Sequence, residues 1–422
     1  MRILQVVHQY PPQKIGGTEI YTQNLSRALK NKGHEVIVFR RGETSAERRL
    51  GMRVGSDGLE VYTLYDMVAR NPLSQFLSSF RNPFVDESFT EVLEEEAPDL
   101  IHFQHLKGLS NRLIVMAKER GIPTVLTLHD YWFICPNAQL LRWGDNKLCP
   151  GPRLWLNCAY SCAAPRVGFP APLFPGPLAA GLFAYRDRLL RKALAATDLI
   201  ICPTEFVRSI FLRWGLPKEK VRLIEHGIEP PIDSLPGRAK DGLNFLYLGG
   251  IAWQKGLHTL IQAFQSLGSV SATLAVCGDE QAFPDYARAL REMVGDSSIT
   301  FRGLIPRSQL WSTLAQADVV VIPSLWYEVS PLVVEEAFAA GVPVIASGIG
   351  ALAEKVRHGV DGFLFPPGDV AHLSHLLREI VANPSILEGL RNNIQRVKTL
   401  EEHVGEIEAL YARLGAQKEH SD

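Results

Sequence analysis

Short apolar runs alternate along this chain with stretches whose apolar positions return every three or four residues. ILQVV at 3–7, EVIVF at 35–39, LIHF at 100–103, TVLTL at 124–128 and LIICP at 199–203 have the length and branching of buried strands. NFLYLG at 244–249, ATLAVCG at 272–278, ITFRG at 299–303, VVVIP at 319–323, PVIAS at 343–347 and GFLF at 362–365 repeat the pattern in the second half. Between them lie helical faces such as Ile20, Leu25, Ala28 and Leu29, or Leu257, Leu260, Ile261 and Phe264. Strands buried on both faces and separated by helices predict a parallel sheet covered on both sides. The run EPPIDSLPGRAKDG breaks the periodicity with Pro, Gly and charge, which places a linker near 229–242. The expected architecture is therefore α/β, with two doubly wound, Rossmann-like domains, 1–235 and 236–399, facing a cleft.

Composition narrows the function classes. A chain of 422 residues exceeds one ordinary core, in keeping with two domains. Its 44 basic and 45 acidic residues nearly cancel, which disfavours a nucleic-acid binder with its clustered basic surplus. The chain enters a strand at Arg2 without a charged-then-apolar leader and contains no apolar run of membrane-spanning length, so a cytoplasmic protein is expected. The stretch 167–192, VGFPAPLFPGPLAAGLFAYRDRLLRK, combines apolar residues with Arg186, Arg188, Arg191 and Lys192. It reads either as a peripheral contact with the inner face of an anionic membrane or as a proline-rich lid followed by an ordinary helix.

Cysteine usage is uneven. Cys135, Cys149, Cys158 and Cys162 share a loop-rich region, 135–165, where they read either as ligands of a structural zinc or iron–sulfur centre or as reduced thiols. Their irregular spacing decides neither way. Cys202 and Cys277 follow strand-like runs and read as small core residues.

The densest candidate chemistry lies near residue 330. A strand ends at Pro323, a loop carries Glu328, a helix opens at Pro331 and stops at Gly341, and Glu336 falls on its second turn. Amides at a helix start favour a phosphate, and carboxylates accept hydrogen bonds from sugar hydroxyls. A nucleotide sugar offers both groups. Glu335, on another helix face, reads as an exposed carboxylate. Lys255 stands where a strand gives way to a helix, able to neutralise a diphosphate without a metal ion. Gly16 and Gly17 form a turn that lets a ligand approach the backbone, but the third glycine of the dinucleotide fingerprint is missing. His129 and Asp130 end one strand, and His102 and His105 surround another, which with His8 makes them candidates for a cleft beyond the strand ends.

These segments together resemble the family-4 retaining glycosyltransferases of the GT-B fold. Glu328 and Glu336 match that family's E-x7-E signature, VVHQYPPQKIGGTEIYTQNLSRALKNKGHEV its glycine loop and first helix, TLHDYW at 127–132 its His-Asp motif, and Lys255–Gly256 its phosphate-binding lysine. The resemblance implies transfer of a hexose-type sugar from a nucleoside diphosphate sugar to a hydroxyl acceptor, either a glycan, a lipid-linked glycan or a small molecule, with no metal at the active site and no cofactor beyond the donor. It assigns His129, Lys255 and Glu328 to catalysis, and Gly16, Gly17, Gly250, Gly278, Val329, Ser330, Pro331, Leu332 and Glu336 to the donor. His8, His102, His105 and Asp130 become acceptor-side candidates. It also implies that the last helical stretch, about 400–414, crosses back onto the first domain. Gly348 and Gly350 are supporting contacts, and Glu354 matches an acid of mainly structural role. Two positions depart from the family: Gly250 stands where an arginine is usual, and His226 where an asparagine precedes glycine. A nucleotide-sugar epimerase or phosphorylase, or a non-catalytic homologue, are the competing readings.

Overall fold

In a computed structural model, which describes all residues except 13–15, 56, 68–70, 232–241, 269, 296–297 and 420–422, the chain divides into two units. One comprises Met1–Gly227 with Leu400–Asp422, the other Ile228–Thr399. Most of the expected linker, 229–242, lies outside the described residues.

The first unit is built on an eight-stranded sheet. Its strands are β1 (Arg2–Val7), β2 (Glu35–Thr44), β3 (Arg49–Val54), β4 (Glu60–Asp66), β5 (Leu100–Phe103), β6 (Thr124–Thr127), β7 (Leu199–Cys202) and β8 (Val221–Leu223), in the order β3-β4-β2-β1-β5-β6-β7-β8. All pairings are parallel except β3 with β4. The chain goes one way from β1 and later returns to its other side at β5, so the topological switch point lies between these two strands. Helix Gly17–Asn31 covers the start of the sheet with Tyr21, Leu25 and Leu29 buried. Helix Leu400–Glu419 belongs to the same unit: Leu400, Val404, Ile407, Leu410 and Tyr411 join Ile3, Tyr21, Leu25 and Leu29 in one apolar cluster.

The second unit holds a six-stranded, all-parallel sheet of β9 (Leu243–Leu248), β10 (Ala272–Cys277), β11 (Ile299–Gly303), β12 (Val319–Ile322), β13 (Val344–Ser347) and β14 (Gly362–Phe365), ordered β11-β10-β9-β12-β13-β14. Here the switch point falls between β9 and β12. Helix Leu257–Gln265 lays Leu257, Leu260, Ile261 and Phe264 on Phe245, Leu274 and Leu377 in a shared core. Cys202 and Cys277 are buried at strand ends.

Sequence periodicity found eleven of these strands and missed β3, β4 and β8. β3 is largely exposed and carries two arginines and a glycine, and β8 is three residues long, so neither is a continuous apolar run. Among the described residues no helix is long and apolar enough to cross a membrane. Within 167–192, Val167, Phe169, Leu173 and Leu178 are exposed. Arg186 is not part of a basic surface: it is 2% exposed and donates from Nη2 to the carbonyl of Trp132.

Candidate active site

The strand order of the second unit brings Lys255 and Glu328 together. Lys255 follows β9 and Glu328 follows β12, so the two loops leave adjacent strands at the switch point, where open parallel sheets bind ligands. The Lys255 ammonium lies 2.7 Å from Glu328 Oε1. That same oxygen accepts from the Ser324 hydroxyl at 2.6 Å and from Trp326 Nε1 at 2.9 Å. Among the described residues nothing bonds Glu328 Oε2, which leaves a second acceptor for a ligand hydroxyl. The Lys255 Nζ also lies 5.3 Å from the centroid of the Trp326 ring.

Gly256 makes this juxtaposition feasible. It sits at φ +70°, and a Cβ there would fall 1.9 Å from the carbonyl oxygen of Pro323. Only glycine lets the Lys255 turn approach the Glu328 loop so closely, and the backbone N–H of Leu325 donates to the Gln254 carbonyl at 2.8 Å. Gly278 answers a similar demand, with its missing Cβ 2.2 Å from the Gly249 carbonyl oxygen. Gly250 is different: nothing lies within 4 Å of a Cβ built there, so the backbone would accept a side chain.

Helix Leu332–Ala339 begins behind Pro331 without a side-chain cap; the N–H groups of Leu332 and Val334 donate to the Ser330 and Pro331 carbonyls, which leaves that of Val333 for an anion. Val329 is buried in the loop before it. The Ser330 hydroxyl is buried with no hydrogen-bond partner among the described residues, a group that a ligand oxygen could satisfy. Glu336, 5% exposed, pairs with Nη1 of Arg307, a residue that the sequence reading passed over. Glu335 corrects an expectation. It is 8% exposed and bonded to Lys355, so it pins two helices instead of facing solvent. The partner lies twenty positions away, so no local signal announces the pair.

In the first unit the expected residues gather into a histidine-rich network. The His8 and His105 rings lie 4.1 Å apart, centroid to centroid. The backbone N–H of Lys107 donates to His105 Nδ1, so Nε2 carries the proton that it gives to Asp130 Oδ2 at 2.6 Å. His105 and the Trp132 backbone N–H together hold Asp130 below the usual carboxylate range despite its burial. His129 Nε2 meets Gln104 Oε1 at 2.8 Å, and its ring lies 5.2 Å from that of His226. Burial and the neighbouring His105 depress His129 to about 3, so it acts as a neutral hydrogen-bonding group and not as an acid.

Gly16 caps the first helix in an extended conformation, and Gly17 opens it. The buried Glu19, which sequence reading did not select, places Oε1 3.4 Å from His8 Nε2 and Oε2 2.5 Å from where a Cβ on Gly16 would lie. A carboxylate over this turn favours a hydroxyl-bearing ligand above an anionic one. His102 stands apart from the others. It is wholly buried, with Tyr411 Oη at 2.6 Å and Thr127 Oγ1 at 2.8 Å occupying its two nitrogens, and so ties the C-terminal helix to the sheet.

His102 carries a pH consequence. Burial, aided by His129 and His403, lowers it well below the ordinary histidine range. Below about pH 6.5 the unfolded chain therefore binds a proton that the folded one refuses, and stability falls as pH falls, by at most about 1.4 kcal/mol per unit for one such group. The melting temperature should decline from pH 7 to 5, and His102→Gln should flatten that decline. An unchanged slope in the variant would assign the acid sensitivity elsewhere.

Cys135, Cys149, Cys158 and Cys162 all line one cavity, yet among the described residues no three His, Cys, Asp or Glu side chains group so as to hold a metal ion. The zinc reading of the cluster is corrected accordingly, because the thiols surround a space and do not converge on a point. Cys135, Cys158 and Cys162 are not poised as nucleophiles: burial pushes Cys162 up to about 11 and raises the other two as well.

Comparison with known proteins bears on both units. Residues 15–230 match the family model described as Glycosyltransferase Family 4, and residues 234–397 match that of Glycosyl transferases group 1. The chain is 27% identical to a glycogen synthase of Mycobacterium tuberculosis over 394 residues, covering 91% of this chain and 87% of that protein. It is 26% identical over 398 residues to D-inositol 3-phosphate glycosyltransferase 1 of Catenulispora acidiphila, covering 89% and 85%. Among solved structures it resembles a sucrose-phosphate synthase from Thermosynechococcus elongatus, with a TM-score of 0.70, 22% identity and 99% of each chain covered. HepE from Anabaena, in complex with UDP and glucose, gives a TM-score of 0.67 at 18% identity, covering 98% of this chain and 99% of that one.

Proposed function

The chain belongs to the family-4 glycosyltransferases of the GT-B fold, and from that premise we propose that it moves a hexose-type sugar from a nucleoside diphosphate donor to a hydroxyl acceptor with retention of anomeric configuration. One observation carries the reading: the Lys255–Glu328 pair at the β9/β12 switch point, in front of an uncapped helix start. An ammonium has three donors. Lys255 can keep one on Glu328 and direct others at a departing diphosphate, which stabilises the leaving group without requiring a metal ion. Glu328 Oε2 and the Ser330 hydroxyl would orient the sugar and its phosphate, and Glu336, held by Arg307, would accept from the ribose hydroxyls. In the first unit, neutral His129 would bond a sugar hydroxyl, and the His8–His105–Asp130 set would receive the acceptor. Exposed Val167, Phe169, Leu173 and Leu178, on a segment that also carries Arg188 and Lys192, favour a lipid-linked acceptor at an anionic membrane surface.

Thermal unfolding of the purified protein against a panel of nucleotides and nucleotide sugars provides the test. One nucleoside diphosphate family should raise the melting temperature. With that donor, proton NMR of the glycoside should show the donor's anomeric configuration, and EDTA should leave the rate unchanged. An inverted product or EDTA-abolished turnover would overturn the mechanism, and no response to any donor would overturn the site. Glu336→Ala should weaken donor binding about tenfold, the value of one good hydrogen bond from a charged group, while changing turnover less. Equal donor affinity in that variant would remove Glu336 from the ribose site.

A further inference from the structure

The segment between β6 and helix Gly176–Ala196 has a construction that sugar transfer does not explain. Five non-glycine residues there adopt positive φ: Ala138 (66°), Leu140 (50°), Asn146 (55°), Leu154 (49°) and Trp155 (58°). Such conformations persist where their surroundings over-determine them. The four cysteines are free thiols, three of them buried, around one small cavity walled by residues such as Leu140, Leu141 and Phe183. Hydrogen-bond donors lie near the sulfurs. Asn157 Nδ2 lies 3.6 Å from Cys149 Sγ, and backbone amides of Leu140, Asn137 and Gln139 favour a Cys135 thiolate, as that of Trp143 does for Cys162, against the effect of burial. Donors of this kind tune thiolate ligands and offer much less to neutral thiols.

Charge supplies an independent observation. Arg186 is 2% exposed, makes no ion pair among the described residues, and leaves Nε buried without a partner. Cys135 and Cys158 are among the groups whose charge it senses, along with Asp187 and Asp130. With Cys135 and Cys158 as neutral thiols the guanidinium senses only the charges of Asp187 and Asp130, whereas thiolates around a dipositive core carry net negative charge and offset it further.

We propose that Cys135, Cys149, Cys158 and Cys162 ligate an iron–sulfur cluster that braces this loop. The thiols surround a cavity and do not converge on one point, which suits a multi-atom core and not a single ion. Loading is a ligand exchange: a preformed core carried on small thiolates passes to the four cysteines, each cysteine proton moves to a departing thiolate, and no electrons change hands. The centre's role is positional. Arg186, next to the cluster, donates to the Trp132 carbonyl, and the Trp132 N–H holds Asp130 beside His129.

The test uses the full chain purified without oxygen, and then the same protein incubated with a preformed iron–sulfur core on a small thiol. Iron and acid-labile sulfide should appear in equal amounts, about two or four per chain, with thiolate-to-iron absorption in the visible. Cys158→Ser should lower both, whereas Cys202→Ser, remote in sequence and buried in the sheet, should not. Protein that holds no iron after incubation overturns the proposal. So does one zinc per chain in place of iron, or paired disulfides in anaerobically alkylated protein. Because wild-type iron and sulfide are read directly, the result stands even if the Cys158 variant fails to fold, and it is independent of whether a donor sugar is ever found.

Discussion

Lys255→Ala should lower kcat by about 10²–10³-fold, the usual effect of removing one preorganised group that stabilises developing charge. The donor's KM should move far less, because on the proposed reading Glu336 and the start of helix Leu332–Ala339 would still hold the nucleotide in the ground state. The expectation rests on where the ammonium lies. It is bonded to Glu328 at 2.7 Å and its side chain is 29% exposed, so a ligand can reach its remaining protons. Removing it does not strand the carboxylate, since Ser324 and Trp326 still donate to Oε1, and the fold around Glu328 should survive. Lys255→Arg tests the geometry separately. A planar fork cannot reproduce the ammonium's three-way contact, so it should recover only part of the rate. Steady-state kinetics with a fixed acceptor decide between the outcomes. An unaltered kcat in Lys255→Ala would show that leaving-group charge is handled elsewhere.

The sequence made the site's skeleton legible because its parts are local. Lys255 and Glu328 each end an apolar run, and a strand-end rule sends both to the same edge of a parallel sheet without reference to any structure. What it concealed is side-chain pairing, near and far along the chain. Arg307, Ser324 and Trp326 engage the two glutamates through side chains, and Trp326 and Ser324 read only as loop composition until the carboxylate's position is known. Glu19 looks like an ordinary first-turn helix acid, yet it packs over the glycine turn and against His8. His102 shows the reverse error. A histidine at a strand end suggests chemistry, but its neighbours Tyr411 and Thr127 lie 309 and 25 positions away and convert it into a structural tie. The edge hairpin β3–β4 was not among the expected strands: the apolar residues Leu50, Met52 and Val54 of β3 are interrupted by Arg49, Gly51 and Arg53, and β4, although mostly buried, mixes Val61, Tyr62 and Leu64 with Glu60, Thr63 and Asp66, so neither is a continuous apolar run.

Gly256→Ala should be the most damaging single-methyl change in the second unit. Two costs combine. An L-residue at φ +70° forfeits roughly 1–2 kcal/mol. A methyl group 1.9 Å from the Pro323 carbonyl oxygen forces backbone apart, as overpacking that typically costs a further ~1–3 kcal/mol. At roughly 2–4 °C per kcal/mol for a unit of this size, the melting temperature of that transition should fall on the order of 10 °C. The displaced atom belongs to Pro323, which follows β12 and leads to Ser324 and Glu328, so relief of the clash would draw Glu328 away from Lys255. Activity should therefore fall even at temperatures where the variant remains folded, and excess nucleotide should restore stability only in part. Gly250→Ala, six residues earlier, is the control. Its added methyl meets nothing within 4 Å, and stability should stay within about 0.5 kcal/mol of the parent. Differential scanning calorimetry of both variants distinguishes a backbone constraint from a general intolerance of this turn to side chains. If Gly256→Ala melts with the parent, the close approach of the two loops is not what holds Lys255 against Glu328.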